Sequence, residues 1–186
     1  MTSKIYEVRF HGRGGQGAWT ASLLLAQAGL KEEKNIQSFP AFGPERAGAP
    51  ITAYTRISDD KIQLHSSIYE PDAVVVLDPT LLGPAVAEGV HRGTKLIVNT
   101  GEPADAVRKR LGLKSVETWT IDATELAIKT LGRPITNTAM LGTVVRATGV
   151  VKLDSLLAVV RERFEGKISE LNVELVRKAY EEARKG

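Results

Sequence analysis

The 186 residues are 42% hydrophobic and 25% charged, the composition of an ordinary folded chain long enough to bury a full core. A net charge of only +3, with no Lys/Arg cluster interleaved with aromatics, argues against a nucleic-acid partner. The absence of cysteine excludes disulfides, a thiol nucleophile and thiolate-held iron–sulfur clusters, and no apolar run reaches membrane-spanning length.

Met1-Thr2-Ser3-Lys4 leads directly into a strand pattern, so no signal peptide is read and a cytoplasmic location is expected. The strand covers residues 5–10. Tyr6, Val8 and Phe10 point one way; Ile5, Glu7 and Arg9 point the other, and this charged face implies partial exposure or a cover supplied by a partner. The strand enters His11-Gly12-Arg13-Gly14-Gly15-Gln16-Gly17, and a helix over residues 18–30 leaves it. Four glycines within six residues permit a sharp turn and close backbone approach. The helix start presents unpaired N–H groups and the positive end of its dipole, which suits an anion, usually a phosphate. The alternative is a loop that only lets the helix pack tightly on the sheet.

Gly12, Gly14 and Gly17 match the dinucleotide spacing G-x-G-x-x-G. That reading needs a carboxylate about 20 residues on to hold a ribose. The stretch Asn35-Ile36-Gln37-Ser38-Phe39 has none, and Glu32 and Glu33 fall too early. The pattern therefore predicts a Rossmann-like architecture while weakening the nicotinamide reading. The helix over 18–30 is nearly uncharged and shows no polar face, which predicts burial on most sides by later elements or another subunit.

Residues 39–50 carry three prolines and two phenylalanines and read as a structured loop, with Glu45 and Arg46 either solvated or carried on a binding loop. Residues 51–57 and 61–66 alternate about Ser58-Asp59-Asp60 and predict a β-hairpin, hence a mixed sheet. Buried strands are expected over 72–78, 95–99 and 116–121. A helix or helical turn is expected over 81–91, and helices over 104–111 and up to Leu131, the last opened by an Asp122/Glu125 capping box. Strands alternating with helices predict a three-layer α/β/α domain with a mainly parallel, mixed sheet. Ligands in such sheets sit at the carboxyl ends of strands, here the glycine loop, Asp78-Pro79 and Asn99-Thr100-Gly101. The C-terminal third reads as helical, with Asn137 capping 138–147, Asp154 capping 155–164, and a last helix over 169–184.

Recognisable catalytic machinery is missing. There is no G-x-x-x-x-G-K-[ST] loop and no nucleophile elbow. His11, His65 and His91 lack metal-ligand spacing, and Asp78, the best-placed carboxylate, precedes a proline as turn-forming Asp residues do. No catalytic residue and no metal ligand is assigned to this chain.

Three motifs together carry a family resemblance: Gly12-Arg13-Gly14-Gly15-Gln16-Gly17, Phe42-Gly43-Pro44-Glu45-Arg46-Ala47-Gly48 and Asn137-Thr138-Ala139-Met140-Leu141-Gly142. In order and separation they resemble the gamma subunits of the 2-oxoacid:ferredoxin oxidoreductases, the pyruvate:ferredoxin (pyruvate synthase) branch above all, over nearly the whole chain. The resemblance implies one gamma (catalytic-domain III-like) domain over residues 1–186. It implies a reaction in which a 2-oxoacid and coenzyme A give acyl-CoA, CO2 and electrons for ferredoxin. It also implies that thiamine diphosphate, Mg2+ and [4Fe-4S] clusters are held by alpha, beta and delta partners of a heterotetramer, and that no cofactor is bound by this chain alone. Carried over by position, Gly12, Arg13, Gly14, Gly15, Gln16 and Gly17 would contact coenzyme A or a phosphate, with Arg13 as a planar fork and Gln16 as a donor. Phe42, Gly43, Pro44, Glu45, Arg46 and Gly48 would form a loop facing partner or ligand, and Asn137 a cap or polar contact at the same rim. The alternatives are a free-standing NAD(P)-binding dehydrogenase domain, the equivalent subunit for a branched-chain or aryl 2-oxoacid, and an interaction domain without a ligand.

Overall fold

The structure is a computed structural model that describes residues 4–41 and 47–186. Phe42, Gly43, Pro44, Glu45 and Arg46, the centre of the expected partner loop, lie outside the described residues. Seven strands form one mixed sheet in the order β2-β3-β1-β4-β5-β6-β7. They are β1 (Tyr6–Arg13), β2 (Asn35–Pro40), β3 (Pro50–Ser58), β4 (Ala73–Val76), β5 (Lys95–Asn99), β6 (Glu117–Ile121) and β7 (Arg184–Lys185). The central run β1-β4-β5-β6 is parallel, while β3 pairs antiparallel with both β1 and β2, and β7 with β6.

The helices are α1 (Ala18–Leu30), α2 (Pro84–Ala87), α3 (Ala104–Leu111), α4 (Ala123–Leu131), α5 (Asn137–Thr148), α6 (Leu153–Arg163) and α7 (Gly166–Glu182). Alternation along the parallel strands splits the core in two. Phe10, Val75 and Ile97 pack under α1 and the C-terminal helices. Val74, Val76, Leu96 and Val98 face Val86 of α2 and Val107 of α3. This is the expected three-layer α/β arrangement.

Several local expectations are corrected. Residues 61–66 form no strand, because both edges of β3 are already occupied, by β2 and by β1. The mixed character of the sheet therefore comes from β3 and β7, not from the predicted hairpin. Over 81–91 the structure holds the shorter of the two expected forms, a 3-10 turn at Pro79–Leu81 followed by the single turn α2. Gly83 and Gly89 interrupt the segment; Gly89 has φ +68 and lies so close to the Tyr69 carbonyl that no Cβ fits there. Asp154 does not cap α6, whose N-cap is Lys152 without a side-chain bond. Asn137 lies inside the first turn of α5 and accepts from the Thr138 N–H. Helix α7 ends at Glu182, and the chain then turns back as β7.

Helix α1 is buried along Ala18, Ala21, Leu24, Leu25 and Ala28, but Trp19, Leu23 and Leu30 are exposed. The charged face of β1 is covered by the chain itself rather than left open. Arg9 donates from Nε to His11 Nε2 (3.0 Å) and through its terminal nitrogen to the carbonyls of Val86 (3.1 Å) and Glu88 (2.5 Å). Arg56 of β3, 1% exposed, pairs with Glu7 at 2.7 Å and donates to the Ser66 carbonyl at 2.8 Å. A buried guanidinium is tolerated because its donors all find acceptors.

The third sequence motif has a packing role. Gly142 in α5 faces the Val176 carbonyl of α7, with no room for a Cβ, and Thr138 donates to the Asn172 side chain at 2.8 Å. Gly142→Ala is expected to destabilise the chain by about 1–3 kcal/mol through overpacking. A fall in the urea midpoint with an unchanged slope would show it, and an unchanged midpoint would refute it.

Candidate functional site

The site grows out of the end of β1. Gly12 and Arg13 belong to that strand, paired with Ile51 and Pro50. The loop then turns through Gly15 (φ 95) and Gly17 (φ 77), left-handed conformations that favour glycine. Gly17 is the N-cap of α1 and offers no side chain, and among the described residues no other side chain caps the first turn. Its N–H groups remain available to an outside acceptor. The segment after the undescribed loop is laced to this turn: Gly14 N–H donates to the Ala49 carbonyl (2.9 Å) and Gly48 N–H to the Gly14 carbonyl (3.1 Å).

The side chains of Arg13 and Gln16 turn toward the end of β4. Arg13 Nε donates to Asp78 Oδ2 at 3.1 Å, and its other nitrogens to the Gly48 carbonyl at 3.1 Å and Thr80 Oγ1 at 2.9 Å. Gln16 donates to the same Asp78 oxygen at 2.8 Å and accepts from the Arg13 N–H at 2.7 Å. Thr80 supplies two bonds to Asp78 Oδ1, from its backbone N–H (2.9 Å) and its hydroxyl (2.6 Å). Burial of the Asp78 carboxyl acts to raise its pKa. The bonds from Thr80 and Gln16, with the Arg13 charge, outweigh that and hold it below the usual carboxylate range. The sequence places Asp78 at the ligand end of the sheet as its best-placed carboxylate, with turn formation as the commoner role of an Asp before proline. It does initiate the 3-10 turn, and it also gathers the glycine loop. Asn99, at the neighbouring strand end, instead bonds the Leu77 carbonyl and Thr124.

Asn137 reaches the loop from α5. It is 7% exposed, and its Nδ2 lies 2.7 Å from where a Cβ on Gly17 would sit. Its Oδ1 is used by the Thr138 N–H. A cleft of about 630 Å3 opens here, lined by Gly15, Gln16, Gly17, Thr20, Arg133 and Asn137 among others. A smaller hollow of about 430 Å3 meets Gly14, Ala18, Trp19 and Ala47. The first and third sequence motifs thus meet at one cleft, with Gly48 of the second attached. Among the described residues, no group of His, Asp or Glu side chains could hold a metal ion, and no helix is long and apolar enough to cross a membrane.

The strand order separates this site from a dinucleotide fold. Strand β2 runs parallel to β1, but β3 lies between them. The strand that would carry a ribose-binding carboxylate is displaced by one position, about 4.8 Å. Residues 7–182 match the family model described as pyruvate ferredoxin/flavodoxin oxidoreductase.

The chain belongs to that family.

The common gamma subunit of the pyruvate/ketoisovalerate oxidoreductases of Thermococcus litoralis is 48% identical over 176 residues, covering 94% of this chain and 95% of that one. Pyruvate synthase subunit PorC of Thermotoga maritima is 41% identical over 188 residues, covering 99% and 97%. The crystal structure of the pyruvate oxidoreductase subunit PORC from Thermotoga maritima superposes with a TM-score of 0.91 at 40% identity, covering 98% of this chain and 99% of that one. The chain is a gamma-type subunit of a 2-oxoacid:ferredoxin oxidoreductase, not a free-standing dehydrogenase domain.

His11, at the mouth of the loop, is buried and accepts at Nε2, which places its proton on Nδ1. Burial, and then the Arg9 charge, push its pKa down to about 4. The folded chain therefore refuses a proton that the unfolded chain takes up below about pH 6.5. Stability should be complete above that pH and fall by about 3 kcal/mol as the pH drops toward 4. His11→Gln should flatten that slope in urea titrations at stepped pH. An unchanged slope would show that other groups carry the acid sensitivity.

Proposed function

We propose that this chain is the gamma subunit of a pyruvate synthase, the complex that oxidatively decarboxylates pyruvate with coenzyme A to acetyl-CoA and CO2 and passes the electrons to ferredoxin. On this reading the chain docks coenzyme A at the glycine loop and contributes no group to the bond-breaking steps. The observation that carries the reading is the uncapped start of α1. Two left-handed glycines and the amide of Asn137 surround it, beside a cleft wide enough for a phosphate-bearing carrier. A pyrophosphate suits such a start, because backbone N–H groups and the helix dipole both favour negative charge.

The rest of the machinery belongs to other polypeptides. Without cysteine the chain has no thiolate for a cluster. Thiamine diphosphate with Mg2+, which supplies the decarboxylation chemistry, and the [4Fe-4S] clusters would sit on alpha, beta and delta partners of a cytoplasmic heterotetramer. The exposed Trp19, Leu23 and Leu30 of α1 suit a surface that such partners cover. The Thermococcus litoralis relative is named as common to pyruvate and ketoisovalerate oxidoreductases. That supports a 2-oxoacid pocket lying on other chains, with pyruvate as the substrate here and a branched-chain 2-oxoacid as the second reading.

The test uses the complex reconstituted with its partner subunits. Among the described residues, chain neighbours aside, no atom lies within 4 Å of a Cβ built on Gly15; its φ of +95 strains any side chain, but Asp and Asn carry the same strain, so comparing them isolates the charge. Gly15→Asp should raise KM for coenzyme A about tenfold by charge repulsion, and Gly15→Asn, of the same shape, much less. Equal KM values in the two variants would remove the coenzyme from this loop. The isolated chain should show no pyruvate-dependent ferredoxin reduction.

A further inference from the structure

Arg13 and Gln16, the two long polar side chains of the glycine loop, carry the donors that a phosphate would be expected to attract. The structure directs both elsewhere. Every nitrogen of the Arg13 side chain already has an acceptor: Asp78 Oδ2, the Gly48 carbonyl and Thr80 Oγ1. Gln16 is used at both ends, donating to Asp78 and accepting from the Arg13 backbone. The Asp78 carboxylate, with its side chain 12% exposed, takes four bonds in all, from Arg13, Gln16 and twice from Thr80. An acid so placed beside an anion site is unfavourable on charge alone. Its position makes sense if its work is to hold the loop.

The other side of the loop offers different donors. Among the described residues, no side chain caps the first turn of α1. Asn137, more than nine-tenths buried, lines the cleft, and among the described residues its Nδ2 has no hydrogen-bond partner while its Oδ1 is taken. Among the described residues Thr130 Oγ1 is the only buried side-chain nitrogen or oxygen without a partner, so the Asn137 Nδ2 is open to the cleft, where its N–H groups can meet an acceptor.

We propose that Asp78 is a positioning residue of the coenzyme site, clamping Arg13 and Gln16 away from the ligand so that the anion is met by the start of α1 and the Asn137 amide. Arg13 is then a strut of the loop rather than a phosphate ligand. This inference rests on the coenzyme reading given above and names the groups that would do the binding.

The experiment measures KM and kcat for coenzyme A in the reconstituted complex carrying Asp78→Ala, Asp78→Asn, Arg13→Ala, the Asp78→Ala/Arg13→Ala pair, and Asn137→Ala. If Asp78 positions the loop through Arg13, both Asp78 variants should raise KM roughly tenfold, by a larger factor than they change kcat. Arg13→Ala should do the same, and the pair should do no worse than either alone, as expected for residues acting as one unit. Asn137→Ala should raise KM as well. If Arg13 instead binds the phosphate, removing Asp78 frees it and deletes a repelling charge. KM would then fall or stay level in the Asp78 variants and rise only with Arg13→Ala, which overturns the proposal while leaving the coenzyme at this loop. Should KM for coenzyme A stay unchanged in Asn137→Ala and in every Arg13 and Asp78 variant, the coenzyme reading itself fails. Asp78→Asn keeps the shape of the side chain, so the proposal stays testable if Asp78→Ala does not assemble.

Discussion

Strand β3 runs antiparallel between β1 and β2, and much of the molecule follows from that insertion. It extends the ladder along the whole of β1 as far as Arg13, so the first two loop residues of the motif are held as strand. It carries Ala49 and Gly48 to the glycine turn, where they bond Gly14. It also brings Arg56 across to Glu7 and closes the charged face of β1 from within the chain. A parallel β1–β2 contact would have brought the end of β2 beside the loop, where dinucleotide-binding folds carry the ribose-binding carboxylate.

The two ends of the loop are restrained by different chemistry. On the sheet side, backbone pairing and the Asp78 carboxylate fix Arg13, Gly14 and Gln16. On the helix side, among the described residues, glycine conformations and the neighbouring Asn137 define the turn. A site built in this way has one preorganised wall and one open one. Binding a flexible carrier benefits from such an arrangement, since less ordering is left to be done when the ligand arrives. The carboxyl ends of β1 and β4 meet here, while that of β5 is diverted to α4 through Asn99 and Thr124.

The helical third belongs to the same design. Gly142 lets α5 approach the α7 backbone, and Thr138 and Asn172 tie the two helices by a buried hydrogen bond. That packing sets where the first turn of α5 ends up, and so sets Asn137 against Gly17. The motif containing both Asn137 and Gly142 joins a position that faces the site to one that fixes its depth, five residues apart on one helix.

Much of the fold was legible from local pattern. The bounds of α1, β5 and α3 and the capping of α4 by Asp122 follow from periodicity, capping chemistry and β-propensity, which act within a few residues. The glycine loop and the family were legible for the same reason, as short strings with a fixed order. What the chain could not reveal by itself is pairing across distance. Residues 51–57 alternate whichever strands flank them, so the sequence suggested a hairpin with 61–66 where the sheet chose β2 and β1. Asp78 looked like a turn former because its partners, Arg13 and Gln16, lie more than 60 residues earlier. The charges on β1 looked exposed because their acceptors, the carbonyls of Val86 and Glu88, are backbone groups that any sequence possesses. Local propensity is written in neighbouring side chains; strand order and hydrogen bonds to distant main chain exist only once the chain has closed on itself.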